Sequence, residues 1–242
     1  MAPRRLLAAG LTIVSALLAS ACGPLTAAPS GAEAAPAPAG VAAAPALAQL
    51  ETLPVKPHGS LDGYSREAFG PAWSDDGTVA LSHNHCPTRD DVLARDLTDV
   101  VRAKDGCTVL SGVLHDRYTG KTIRFHRGPG TSLAVQIDHI VPLALAWQSG
   151  ARRLSAEQRL NLANDPDNLV SSDGPTNAGK GAKDASAWMP PRSSTRCWYA
   201  AAQVKVKAKY RLSVSAAERT ALRTALQSCP DAGTGHGEAG RR

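Results

Sequence analysis

After residue 18 this 242-residue sequence has no apolar run long enough to span a bilayer, so a helical membrane protein is excluded and a soluble mature chain is expected. It has no internal repeat, which removes solenoids and propellers. It has neither a zinc-finger spacing nor a helix-turn-helix, so no device for reading base sequence is visible. Clustered metal-ligand types occur once, at His83-Asn84-His85-Cys86, and no second cluster of matching spacing follows. A structural zinc site is therefore disfavoured, and His83 and His85 read as loop residues. Strong charge is also missing. The net charge is +6, and it falls to +4 once Arg4 and Arg5 leave with the leader described next. That permits contact with a polyanion without demanding it.

The ends are not core material. Residues 1–21 read as an export signal: Arg4 and Arg5, then apolar Leu6 to Leu18, then small Ala19-Ser20-Ala21. Cys22 follows directly and resembles the lipidated cysteine of a bacterial lipobox. Ala19 stands where leucine is usual, so a surface lipoprotein anchored through Cys22 and plain secretion both stay open. Residues 22–57 are rich in Ala, Pro and Gly and read as a disordered linker. Residues 58–230 are one domain-sized stretch, expected to be a monomer, and 231–242 a disordered Gly-rich tail.

Four further cysteines in an exported chain suggest two disulfides. Cys197 opens a helical stretch, Trp198 to Leu212. The capping box Ser215 to Glu218 starts the next helix, which Cys229 closes. In an antiparallel helix pair those ends are neighbours, so Cys197–Cys229 is the natural staple, and Cys86–Cys107 remains.

Between these landmarks the spacing predicts an amphipathic helix over Thr88–Lys104, a strand over Thr108–Leu114, a hairpin turn at Asp116–Lys121 and a returning strand to Phe125. Leu133, Val135 and Ile137 alternate into Asp138-His139. Pro142 starts a helix, and a second capping box at Ser155 starts another inside an insert spanning Ala144–Asp167. Asn168–Ser172 is a short strand, and Pro175 opens a helix carrying Asn177 and Lys180. The expected class is α+β, mostly helical with modest strand content.

Two segments carry the chemistry. Asp138-His139 places a carboxylate beside an imidazole at a strand end, and a histidine can take a proton from water near neutral pH. On one helix Asn177 and Asp184 would lie about 20° apart, with Lys180 about 60° from Asn177. One face would then offer an oxygen ligand, a cation for phosphate and an acid. Asp and Asn oxygens suit Mg²⁺, Mn²⁺ or Ca²⁺ better than Zn²⁺. Basic residues gather at Lys121, Arg124 and Arg127. The run Lys205, Lys207, Lys209 and Arg211 reads as a solvated face.

Asp138 to Leu143, Asn168-Leu169-Val170, and Asn177 with Lys180-Gly181 and Asp184 together resemble the secreted branch of the HNH endonucleases, related to the nuclease half of modification-dependent restriction enzymes. Asn84 to Arg89, Tyr118 to Lys121 and Trp188 to Pro191 extend the likeness over about Tyr64 to Cys229. The resemblance implies a ββα-metal core and cleavage of DNA or RNA to 5′-phosphate products. It implies His139 as general base and Asp138 and Asn177 as ligands of one divalent cation, most simply Mg²⁺. Asn168, with Asn161 and Asn164 as rivals for the role, would brace the loop and orient the histidine. Lys180 would touch phosphate, and Asp184 would serve as a cap or support. Asn177 departs from the histidine common at that helix position. A decayed, surface-bound nucleic-acid-binding protein is the alternative.

Overall fold

The computed structural model describes residues 43–229. The leader, Cys22, most of the expected linker and the tail lie outside the described residues.

Among the described residues seven helices and two small sheets make up the α+β fold, with elements in the order α1 (Ala43–Thr52), α2 (Thr88–Asp96), β1 (Leu97–Arg102), β2 (Val109–His115), β3 (Thr122–His126), β4 (Val135–His139), α3 (Leu143–Ser149), α4 (Ala156–Asn164), β5 (Leu169–Asp173), α5 (Gly174–Lys180), α6 (Arg196–Lys209) and α7 (Ala216–Gln227). One sheet is the antiparallel ladder β1-β2-β3 and the other the antiparallel pair β4-β5. None of the described helices is long and apolar enough to cross a membrane.

Both capping boxes form: Ser155 with Gln158 starts α4, and Ser215 with Glu218 starts α7. Both disulfides also form as expected. Cys197–Cys229 joins the start of α6 to the residue region just past α7, and Cys86–Cys107 ties the approach to α2 to the approach to β2.

Two expectations are corrected. Residues 43–52, expected inside a disordered linker, are the helix α1. Its Ala46 and Leu50, with Leu53 just beyond, pack against Ala200, Val204, Leu222 and Leu226 of α6 and α7. The local run Ala-Leu-Ala-Gln-Leu-Glu is a good helix former, and no proline lies between Pro45 and Pro54. The helix expected over Thr88–Lys104 ends at Asp96. From Leu97 the chain is extended, because Leu97 and Val101 pair with Leu114 and Ser111 of β2. Valine spacing there satisfies either period, and the ladder decides.

The basic run is not uniformly solvated either. Lys207 is fully buried against Glu218, and Lys205 and Lys209 pair with Asp167, Lys209 also with Asp165.

The sheet β4-β5 positions the site. Asp138 pairs with Val170 and His139 with Leu169. The outer edge of β5 is covered by side chains: Asp96 accepts from Ser171 N at 2.7 Å and Arg95 donates to Leu169 O at 2.7 Å. The turn into α5 needs glycine at 174, where a Cβ would lie 2.0 Å from Leu133 O.

Candidate active site

Successive residues on β4 face opposite ways. Val135 and Ile137 enter the core with Leu93 and Phe125. Gln136 and Asp138 face α5, where Asn177 Nδ2 donates to Gln136 Oε1 at 2.9 Å and Lys180 Nζ donates to Asp138 Oδ1 at 2.8 Å. The helix therefore lies along the strand in two matched pairs, and Lys180, not Asn177, stands against Asp138.

Asp138 is closed. Its Oδ2 accepts from the Tyr118 hydroxyl at 2.6 Å, and the residue is 4% exposed. Lys180 has no exposure, and its Nζ also donates to His139 O at 2.7 Å. Burial pushes the Asp138 carboxyl up and the Lys180 ammonium down, and each charge opposes the shift of the other. Tyr118 in turn belongs to a buried cluster with Ile140, Val170 and Tyr199.

The His139 side chain leaves the strand on the other side. Its ring stacks on Trp73, with centroids 6.1 Å apart and planes 15° apart. Nε2 lies 2.9 Å from the Ala163 carbonyl. A carbonyl only accepts, so Nε2 carries the proton and Nδ1 holds the free lone pair. Burial lowers the His139 pKa to about 4, opposed by the Ala163 bond and reinforced by the charges of Arg66 and Lys180. The ring is neutral at pH 7. It borders a cleft of about 410 Å³ whose walls include Arg66, Glu67, Phe69, Trp73 and Asn164.

Asn168 secures this arrangement. It is fully buried, and its Oδ1 accepts from Val141 N at 2.8 Å. Its Nδ2 donates to Leu162 O at 3.1 Å and Val141 O at 3.3 Å. The end of α4 is thus tied to the chain just after β4, one residue from the carbonyl that holds His139. The insert Ala144–Asp167 borders the cleft, through Ala163 and Asn164.

A larger cleft of about 570 Å³ is lined by Arg117, Trp198 and Lys205, and by none of the predicted site residues. The smaller cleft is the better candidate because it reaches a neutral imidazole with an unused lone pair.

Asp184 is not on the α5 face. The helix ends at Lys180, and Gly181 turns the chain with a φ of 54°. Asp184 caps the following turn through Ser186 N at 2.9 Å and meets His58 at 3.0 Å. Sequence reasoning missed Arg66, Trp73 and Tyr118 as neighbours of the Asp-His pair. They lie in turns and loops, where no periodicity reports a contact.

A family model for the GmrSD restriction endonucleases, C-terminal domain, matches residues 87–225. The chain belongs to this family. The likeness to modification-dependent restriction enzymes read from the motifs is thereby met. An uncharacterized secreted protein of Arthroderma benhamiae (strain ATCC MYA-4681 / CBS 112371) is 38% identical over 182 residues, covering 74% of this chain and 82% of its own length. Its description and the two disulfides agree with an extracellular location. No solved structure matches the chain.

Restriction endonuclease domains generally use divalent cations. In this GmrSD C-terminal domain the expected ligands do not fit one. Asn177 is turned to Gln136, and a cation at Asp138 would sit against the Lys180 ammonium. Nor is Lys180, fully buried, placed to touch a phosphate. Among the described residues one other group, His58, Asp184 and Glu218, brings ligand atoms within 4.8 Å. There Lys207 already neutralises Glu218 at 3.0 Å.

Proposed function

We propose that this chain is an exported nuclease of the HNH type that hydrolyses phosphodiester bonds, with DNA as the first substrate to test and RNA the second. His139 is the general base. The observation that carries the reading is the His139–Ala163 bond, which fixes the tautomer and leaves Nδ1 without a protein partner on a residue that lines a cleft. Membership of a restriction-endonuclease domain family supports it.

In this reading Nδ1 takes a proton from water as the water oxygen bonds to phosphorus, the bond from phosphorus to the leaving 3′ oxygen breaks, that oxygen takes a proton from solvent water, and the imidazolium returns its proton to solvent. A pKa of about 4 makes a weak base in the free protein. A phosphate anion in the cleft favours the imidazolium and raises it toward neutrality. Asn168 acts through Ala163 and is a positioning residue. The cation expected from the Asp and Asn oxygens is most simply Mg²⁺, and no step is assigned to it, because Asp138 and Asn177 do not present a shared site. Secretion is part of the proposal, and anchoring through Cys22 is its lipoprotein form.

A second reading, binding to nucleic acid without cleavage, is favoured by the closed Asp138–Lys180 pair. Incubating the chain with supercoiled plasmid and with RNA, with and without EDTA, separates the two. Nicking that disappears in His139→Ala supports the enzyme. Salt-dependent binding with no nicking in Mg²⁺ or Mn²⁺ supports the second reading.

A further inference from the structure

Charge relief on a phosphate in the cleft needs a cation that Lys180 does not provide. We infer that Arg66 contacts the substrate phosphate beside His139. The inference rests on the nuclease reading and identifies the cation that reading lacks.

Arg66 is exposed and is the one lysine or arginine lining the His139 cleft. Its guanidinium makes no hydrogen bond or ion pair of 4 Å or less with the described residues. Three other arginines of the domain have protein partners. Arg159 donates to Ala68 O at 2.6 Å and Leu154 O at 2.5 Å. Arg127 is held by Asp90 and by Val109 O, and Arg89 donates to Val135 O at 3.3 Å. The charge of Arg66 already reaches the ring, since it contributes to the lowered pKa of His139.

The backbone beneath Arg66 is well fixed. Arg66 O accepts from Phe69 N at 3.1 Å, starting the turn Glu67–Phe69. Phe69 is 1% exposed and packs with Tyr64 and Trp147, at ring centroid distances of 6.4 and 6.1 Å. Arg159 clamps a second carbonyl of the turn, Ala68 O. A free planar fork on an anchored turn suits bidentate contact with phosphate oxygens, and a donor placed where charge develops stabilises the transition state. Residues 64–73 lie before the family match at 87–225, so this chain builds one wall of its cleft from sequence outside that match.

The test uses the full chain carrying His139→Ala, which removes cleavage, and measures binding of a short duplex and a single strand by fluorescence anisotropy across a salt series. Arg66→Ala in that background is expected to weaken binding about tenfold and to lower the salt slope by about one. Arg66→Lys should recover part of the loss. With His139 intact, Arg66→Ala should lower kcat/KM about ten- to hundredfold, and the His139 titration followed by NMR should move up. Arg66→Ala that binds and cleaves like its parent overturns the inference while the nuclease reading stands. A parent that binds but never cuts, with binding weakened by Arg66→Ala, sinks the cleavage reading and keeps the phosphate contact. A parent that binds no nucleic acid overturns both.

Discussion

Lys180 and Asp138 form a buried ion pair, with Nζ 2.8 Å from Oδ1, and the same ammonium donates to the carbonyl of His139. The pair joins α5 to the end of β4, beside His139. It therefore holds the strand end in place and does not face a ligand.

Removing one partner should be costly. Lys180→Met leaves the Asp138 charge buried with only the Tyr118 hydroxyl, and should lower stability by about 3–5 kcal/mol. Urea unfolding measures this. The double change Lys180→Met with Asp138→Leu should recover much of the loss, because an apolar pair of similar volume leaves no charge unpaired. Equal stability of the single variant and the parent would show that the pair is not formed.

His139→Ala should lower cleavage at least 100-fold, in the range usual for a lost general base. Circular dichroism should remain that of the parent, since the β4-β5 ladder and the Asp138–Lys180 pair do not depend on the ring. A variant that nicks plasmid at the parent rate would remove His139 from the mechanism.

The lowered pKa of His139 has a signed consequence. The folded value is about 4 against an ordinary 6.5, so between those values the unfolded chain binds the extra proton. The stability from the neutral ring is fully present above pH 6.5 and is lost as pH falls through 4, by roughly 3 kcal/mol in all. Denaturant midpoints at pH 7.5, 5.5 and 4.5 should fall more steeply for the parent than for His139→Gln. Parallel slopes would show that the ring titrates normally.

Asn168→Ala removes three side-chain hydrogen bonds and leaves Val141 N buried without a partner. We expect a loss of about 2–3 kcal/mol, together with a fall in kcat larger than any change in KM. Loosening the end of α4 displaces the Ala163 carbonyl that orients His139. A variant with parental kcat would leave Asn168 a purely structural residue.

The disulfide Cys197–Cys229 closes 32 residues and ties α6 to α7 around the core that α1 completes. Cys197→Ser with Cys229→Ser should cost about 3–4 kcal/mol on the loop-entropy account, seen as a lower Tm. Plasmid nicking at 25 °C should persist, because neither cysteine borders the cleft.

Much of this was legible in the sequence. The capping boxes at Ser155 and Ser215, the Cys197–Cys229 staple and the strand entering Asp138-His139 are local features. A hydroxyl three residues before a Gln or Glu, or an alternation of apolar residues, acts over one or two turns whatever surrounds it. Asn168 was legible only through the family resemblance, which left Asn161 and Asn164 as rivals, and its buried bonds to Val141 and Leu162 come from the tertiary structure. What local pattern could not settle was α2 against β1, since Leu97, Val100 and Val101 satisfy both periods until β2 pairs with them.

The sequence by itself determined that an Asp and a His would end one strand and that an Asn-and-Lys helix would follow the next. Only the tertiary structure decided what each faces. The alternation of β4 sends Asp138 toward α5 and His139 toward Trp73, and the length of α5 puts Lys180 against the carboxylate and Asn177 against Gln136. The cleft wall of Arg66 and Trp73 arrives from loop positions more than sixty residues before the histidine. Such contacts are set by packing between distant segments, and no periodicity in either segment records them.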